Sequence, residues 1–155
     1  MTTRTLTLRA GSPRDIDLLD ALMATAFDPR YGEAWTRNQS LGVLAMPGVR
    51  LLLAFLDDEP AGFALTRAVL DEAELLLLAT APAHRRRGVA APLLRALIAD
   101  AQGEGLRQIH LEVRAGNDAV HLYTRHGFTK VGERRGYYRG RLGQLHDAHT
   151  YSRQL

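Results

Sequence analysis

The chain contains no cysteine, which removes disulfides, thiolate metal sites and a cysteine nucleophile. Any thiol chemistry must therefore be brought by a ligand. It has no apolar run approaching the roughly 18 residues of a membrane span, and its start, Met1-Thr2-Thr3-Arg4-Thr5, lacks the apolar core of a secretory signal. No membrane contact is expected, and the cytoplasm is the expected compartment. There is no internal repeat, low-complexity tract or interdomain linker, and no serine stands in a nucleophile motif. His146 and His149 are three apart on an expected strand, which sends them to opposite faces as solvent-exposed side chains, so no metal site is expected.

What is present is globular in composition. The 155 residues are 46% apolar and 24% charged, so residues 1–155 are expected to form one domain with a real core. The net charge of +3 favours an acidic ligand. The arginines are clustered at Arg85 to Arg87 and at Arg134-Arg135, while Asp57-Asp58-Glu59 and Asp71, Glu72 and Glu74 are acidic. A nucleic-acid-binding face would be more uniform, and no direct nucleic-acid binding is expected.

Periodicity predicts an α/β order. Leu6 to Arg9 alternates as a short strand, and Ser12-Pro13-Arg14-Asp15 reads as a cap, a first-turn proline and a capping acid, opening a helix from Pro13 to about Phe27. A second helix is expected from Glu33 to Leu44 with Trp35 in its first turn. Three strands, Val49 to Leu56, Gly62 to Ala68 and Glu74 to Thr80, have turns short enough for an antiparallel meander. The apolar spacing of Val89, Leu93, Leu94, Leu97, Ile98 and Ala101 predicts a crossover helix, and Gln108 to Arg114 then becomes a parallel partner of the strand before it. A helix from Asn117 to Arg125 and strands from Thr129 to Tyr137 and His146 to Gln154 complete a sheet with helices on both faces.

The junction of the third strand and the crossover helix carries the sharpest chemical signal, Arg85-Arg86-Arg87-Gly88-Val89-Ala90. A strand that turns through a glycine into a helix leaves backbone amides without intrahelical partners, beside a partial positive dipole. Pro92, tolerated only near a helix start, places that start near Gly88 or Val89. The pattern suits a pyrophosphate, and equally a basic surface turn that binds nothing.

The motif Arg85-x-x-Gly88-x-Ala90 resembles the cofactor motif of the GNAT superfamily of N-acetyltransferases. Val69-Leu70-Asp71-Glu72-Ala73, Leu111-Glu112-Val113-Arg114-Ala115, Leu122-Tyr123 with Gly127-Phe128, and Arg134-Arg135-Gly136-Tyr137-Tyr138 narrow the resemblance to its RimI-like branch, which acetylates the N-terminal alanine of a ribosomal protein. The resemblance runs from about Trp35 to the C-terminus. It implies a mixed, mostly antiparallel sheet with two splayed parallel strands, and acetyl-CoA as donor without a metal. It places Leu78, Ala79 and Thr80 along the pantetheine arm, Arg86, Arg87, Gly88, Val89, Ala90 and Ala91 around the pyrophosphate, and Asn117 against the cofactor. It also places Trp35, Tyr137 and Tyr138 in the acceptor groove. Asn117 stands one residue closer to Tyr123 than is usual in that branch.

Direct acyl transfer needs a neutral amine, help for the oxyanion and a proton for the departing thiolate. An α-amine is neutral in roughly a tenth or more of molecules at pH 7, so a modest base suffices for an N-terminal acceptor. Alternation in Ile109-His110-Leu111-Glu112-Val113 puts Glu112 on the polar face, and the resemblance makes it the proton acceptor; a structural pairing with Arg114 or another cation is the competing role. The resemblance makes Tyr123 the acid; packing on the core is the alternative. Glu74 is a reserve base. The expected reaction is acetyl transfer to a protein N-terminal α-amine; a small amine such as a polyamine or antibiotic, and a non-catalytic CoA-binding regulator, are the rivals.

Overall fold

The computed structural model describes residues 4–155. Seven strands form one sheet in the order β1-β2-β3-β4-β5-β7-β6. Their ranges are β1 (Leu6–Gly11), β2 (Val49–Leu56), β3 (Glu59–Val69), β4 (Glu72–Thr80), β5 (Gln108–Arg114), β6 (Thr129–Arg139) and β7 (Leu145–Gln154). All neighbours pair antiparallel except β4 and β5, which are parallel across the expected helical crossover. Four α-helices flank the sheet: α1 (Ile16–Ala26), α2 (Arg37–Leu44), α3 (Ala90–Gly103) and α4 (Ala119–Arg125).

Local chemistry explains the ends of these elements. Ser12 and Asp15 cap each other's backbone as expected, but they close a 3₁₀ turn, Pro13–Asp15, and the α-helix proper starts only at Ile16. The expected Glu33 start of α2 is corrected to Arg37. Thr36 and Gln39 form the capping box, so Trp35 lies before the helix and not in its first turn. The β2–β3 hairpin turns at Asp57-Asp58, with φ of 51° and 66°, the two left-handed residues of a tight hairpin turn, so β3 begins at Glu59 rather than Gly62. α4 starts at Ala119 rather than Asn117, because the Asn117 side-chain oxygen accepts the Ala119 amide at 2.9 Å.

The sheet separates two cores. α1 lays Leu19, Leu22 and Met23 on Leu53, Phe63 and Leu65, whereas Leu93, Leu94 and Leu97 of α3 pack with Ala64, Ile109 and Leu111 on the opposite face, where Tyr123 and Phe128 also belong. Leu19, Leu53, Leu93 and Leu94 are fully buried, each contributing about 1.5–3 kcal/mol of transfer free energy. Both cores grip the same strands, so β3 and β4 are held rigidly while the sheet is divided beyond them. Among the described residues, no helix is long and apolar enough to cross a membrane.

Candidate active site

β4 and β5 pair only from Glu72 with Gln108 to Leu75 with Leu111, then part. The parting has a local cause on each strand. β4 carries a bulge against β3, with Leu77 opposite Leu65 but Leu75 opposite Thr66, so Leu76 is extra and the strand bends. β5 continues to Arg114 while held on its other edge by β7. Between the separated ends lies a cavity of about 390 Å³ lined by Leu76, Leu77 and Leu78 from β4 and by Glu112 and Val113 from β5. Leu78, Ala79 and Thr80 pair with β3 on one edge only, leaving the backbone on the β5 side free to bind a ligand.

At the far end of β4 the arginine-glycine turn has the expected geometry. Arg86 and Gly88 are left-handed, with φ of 62° and 74°. Among the described residues, no backbone amide from Arg86 to Ala91 meets an acceptor, and α3 has neither a side-chain cap nor an acid in its first turn. A cluster of free amides next to the positive end of a fourteen-residue helix is suited to an anion. A Cβ on Gly88 would meet nothing within 4 Å, so the glycine serves its positive φ and keeps the mouth of this nest open. Arg85 serves the fold instead, since its guanidinium donates to the Ala26 carbonyl at 2.8 Å and ties the turn to the end of α1.

The other mouth is roofed by the segment between α1 and α2, which docks on the β6–β7 hairpin. The Arg141 amide donates to the Pro29 carbonyl at 3.1 Å, and an imidazole nitrogen of His146 lies 3.1 Å from the Arg30 carbonyl. Gly32 and Gly140 have no room for a Cβ, because backbone from the opposite segment occupies that space. His146 stacks edge-on against Tyr31 with centroids 5.0 Å apart, and His149 approaches Glu133 at 3.7 Å. Both histidines are half-buried, so their expected exposure is corrected.

β6 contributes its tyrosines through a second irregularity. Arg134 pairs with Ala148 and Tyr138 with His146, so residues 135–137 face Asp147 alone. Gly136 adopts φ 60° and donates its amide to Asp147 at 2.8 Å. The wide bulge aims Tyr137 and Tyr138 at the cavity, which Trp35 also lines. The Tyr138 hydroxyl donates to the Glu112 carbonyl at 3.2 Å.

Glu112 and Tyr123 both line this cavity. The Glu112 side chain is only 8% exposed and is held at both oxygens: Thr150, its cross-strand partner, donates at 2.7 Å, and Arg134 pairs at 3.1 Å. The pairing with Arg114 or another cation that the sequence left open is made by Arg134. Arg114 instead lies 3.6 Å over the Tyr31 ring and 3.6 Å from Glu33. Tyr123 is buried and packs edge-on against Phe128 at 5.8 Å; burial first, and the nearby Glu33 charge second, push its phenol well above the usual range. It therefore carries its proton at neutral pH. Tyr138 is raised in the same direction, by burial first and then by Glu33. Glu74 also lines the cavity, 3.9 Å from His110.

Sequence reasoning missed Glu33, which enters the cavity from the roof and whose proton affinity is raised, mainly by burial. No motif marks it, since its neighbours, Arg114, Asn117, Tyr123 and Tyr138, are all remote in sequence. A second cavity, about 260 Å³ beneath α3, is lined largely by aliphatic groups, and its rim charges Arg50 and Glu104 pair with each other. It lacks the converging polar groups of the first.

The cleft between the parting parallel strands thus has a free-amide nest beyond one mouth and carboxylates and phenols lining the other. The chain belongs to the acetyltransferase (GNAT) family, which it matches over residues 17–128, a stretch holding both cleft strands, the arginine-glycine turn and Tyr123. It is 45% identical over 83 residues to a ribosomal protein bS18-alanine N-acetyltransferase of Salmonella typhimurium, a match covering 53% of this chain and 56% of that enzyme. Thus the aligned stretch spans little more than half the length of this curated relative. In three dimensions the whole fold is similar to the ribosomal-protein-S18-alanine N-acetyltransferase of Escherichia coli, with a TM-score of 0.86, 27% identity and coverage of 97% of this chain and 94% of that one. Arabidopsis thaliana NAA60, at 22% identity and a TM-score of 0.83 over 97% and 98% of the two chains, shares the fold.

Proposed function

We propose that this protein transfers an acetyl group from acetyl-CoA directly to an amine, and that the amine is the N-terminal α-amine of a protein, a ribosomal protein of the bS18 kind being the leading acceptor. The observation that carries the reading is the cleft between β4 and β5. It joins a free-amide nest suited to a pyrophosphate to a buried, protonated phenol and a carboxylate, along a strand edge that can hold an extended amide arm. The relatives' activity supports the choice of acceptor.

In this reading the backbone of Leu78, Ala79 and Thr80 holds the pantetheine arm. The amides of Arg86, Arg87, Gly88, Val89, Ala90 and Ala91 hold the pyrophosphate, and the side chain of Asn117, which lines the cavity, contacts the cofactor. Trp35, Tyr137 and Tyr138 line the acceptor path. The amine nitrogen attacks the thioester carbonyl carbon; the C–N bond forms, the C–S bond breaks, and Tyr123 gives its proton to the departing sulfur. Glu112, fixed by Thr150 and Arg134, takes the proton lost by the nitrogen as the tetrahedral state collapses. No acyl-enzyme forms, since cysteine is absent.

The test is CoA thiol release from acetyl-CoA against peptides with different N-termini, including one beginning Ala-Arg, alongside polyamines. Release with the alanine-first peptide is expected. Stabilisation by acetyl-CoA without release toward any amine would leave a CoA-binding regulator as the correct reading.

A further inference from the structure

Three carboxylates line the cavity: Glu74, which lies 3.9 Å from His110, and Glu112 and Glu33, which differ in freedom. Glu112 is engaged at both oxygens, by Thr150 at 2.7 Å and Arg134 at 3.1 Å. Glu33 sits on the roof, with its side chain 13% exposed, and its nearest cation is Arg114 at 3.6 Å, beyond hydrogen-bond reach. The Arg114 Nε proton is itself buried without an acceptor. Arg114 therefore steadies Glu33 by charge and is in turn held over the Tyr31 ring. No hydrogen bond of full geometry reaches Glu33 among the described residues, although the Arg114 and Asn117 side chains stand close enough to favour its charged form.

We propose that Glu33 receives the acceptor as an ammonium ion and takes its first proton. This rests on the acetyl-transfer reading above and completes its proton balance. An α-ammonium must lose two protons to become an amide. The first passes from nitrogen to a Glu33 carboxylate oxygen, which frees the nitrogen lone pair for attack. The second leaves the nitrogen as the tetrahedral state collapses and goes to Glu112. Tyr123 supplies one proton to the sulfur and regains one, so that one proton reaches solvent per turnover. A single fully paired carboxylate would have to perform both transfers; two carboxylates divide them.

The electrostatics suit this role. Burial is the leading cause that raises the proton affinity of Glu33, opposed by Arg114 first and more weakly by Asn117 and His146. It faces Tyr123 and Tyr138, two phenols that stay neutral at neutral pH and so add no competing charge. A carboxylate whose proton affinity is raised by burial is a better proton acceptor than a solvated one, and Arg114 beside it opposes that rise. The roof position also explains why the α1–α2 segment is clamped to the β6–β7 hairpin: the clamp fixes where the ammonium sits.

The experiment measures kcat/KM for an alanine-first peptide from about pH 6.5 to about pH 9.5 in the wild type, E33Q and E33D, spanning the ordinary α-amine range. E33Q is expected to lose at least about tenfold near pH 7, and the deficit to shrink at high pH, where the peptide arrives already neutral. Thermal stabilisation by acetyl-CoA is expected to be unchanged, which shows that fold and donor site are intact. E33D keeps the charge on a shorter stem and is expected to retain the wild-type shape of the profile at a lower rate. An E33Q deficit equal at every pH, or no deficit, would overturn the assignment; so would an E33D profile shaped unlike that of the wild type, which decides the matter if E33Q does not fold. If the wild type itself releases no thiol with any amine, it is the acetyl-transfer reading that fails.

Discussion

Tyr123 reaches the cavity from a core position, and that double life decides how it acts. Its ring packs on Phe128 inside the apolar cluster while its hydroxyl end meets the cleft. Burial holds the phenol protonated far beyond neutral pH, so its ionisation cannot shape the rate profile in the ordinary assay range. Removing the hydroxyl keeps the packing and deletes the proton. Y123F is therefore expected to lower kcat at least about tenfold with little change in acetyl-CoA affinity, as read by steady-state kinetics beside a binding titration. Unaltered turnover would remove Tyr123 from the mechanism. Glu112 was legible in the sequence because alternation along β5 sets its face. Its partners were not: Thr150 and Arg134 reach it only through the register of β5 with β7 and of β7 with β6. Glu33 was invisible for the same reason, since every group that perturbs it lies far away in the chain.

Among elements, the sequence disclosed the regular pieces and concealed the irregular ones that make the site. The β4–α3–β5 crossover followed from apolar spacing, and the arginine-glycine turn from its position between a strand and a helix. The bulges at Leu76 and at residues 135–137 leave no periodic mark, yet they part β4 from β5 and aim Tyr137 and Tyr138. The helix expected from Glu33 starts instead at Arg37. The Thr36-Arg37-Asn38-Gln39 capping box, with its reciprocal bonds at 3.2 and 2.8 Å, was the stronger local signal. The nest before α3 makes a direct prediction. G88E puts a side chain into the open mouth, imposes a strained left-handed glutamate and adds a negative charge beside the free amides. It is expected to abolish stabilisation by acetyl-CoA, measured as a thermal shift, while the apo protein still unfolds cooperatively. A variant that bound acetyl-CoA normally would refute the pyrophosphate assignment.

At the scale of the molecule, one sheet is gripped from both faces where it must be rigid and left open where it must bind. α1 and α3 clamp β3 and β4, the short β4–β5 ladder ends in the cleft, and the α1–α2 segment locks onto the β6–β7 hairpin to roof the acceptor side. In the proposed reading, donor and acceptor enter at opposite mouths and meet at Glu33, Glu112 and Tyr123. The central proposal is that the protein acetylates an N-terminal α-amine. It is tested most directly by incubating the protein with acetyl-CoA and a peptide that begins Ala-Arg and carries an internal lysine, then locating the acetyl group by tandem mass spectrometry. The account predicts acetyl on the N-terminal amine alone; acetyl on the lysine side chain, or turnover of a polyamine with the peptide untouched, would contradict it.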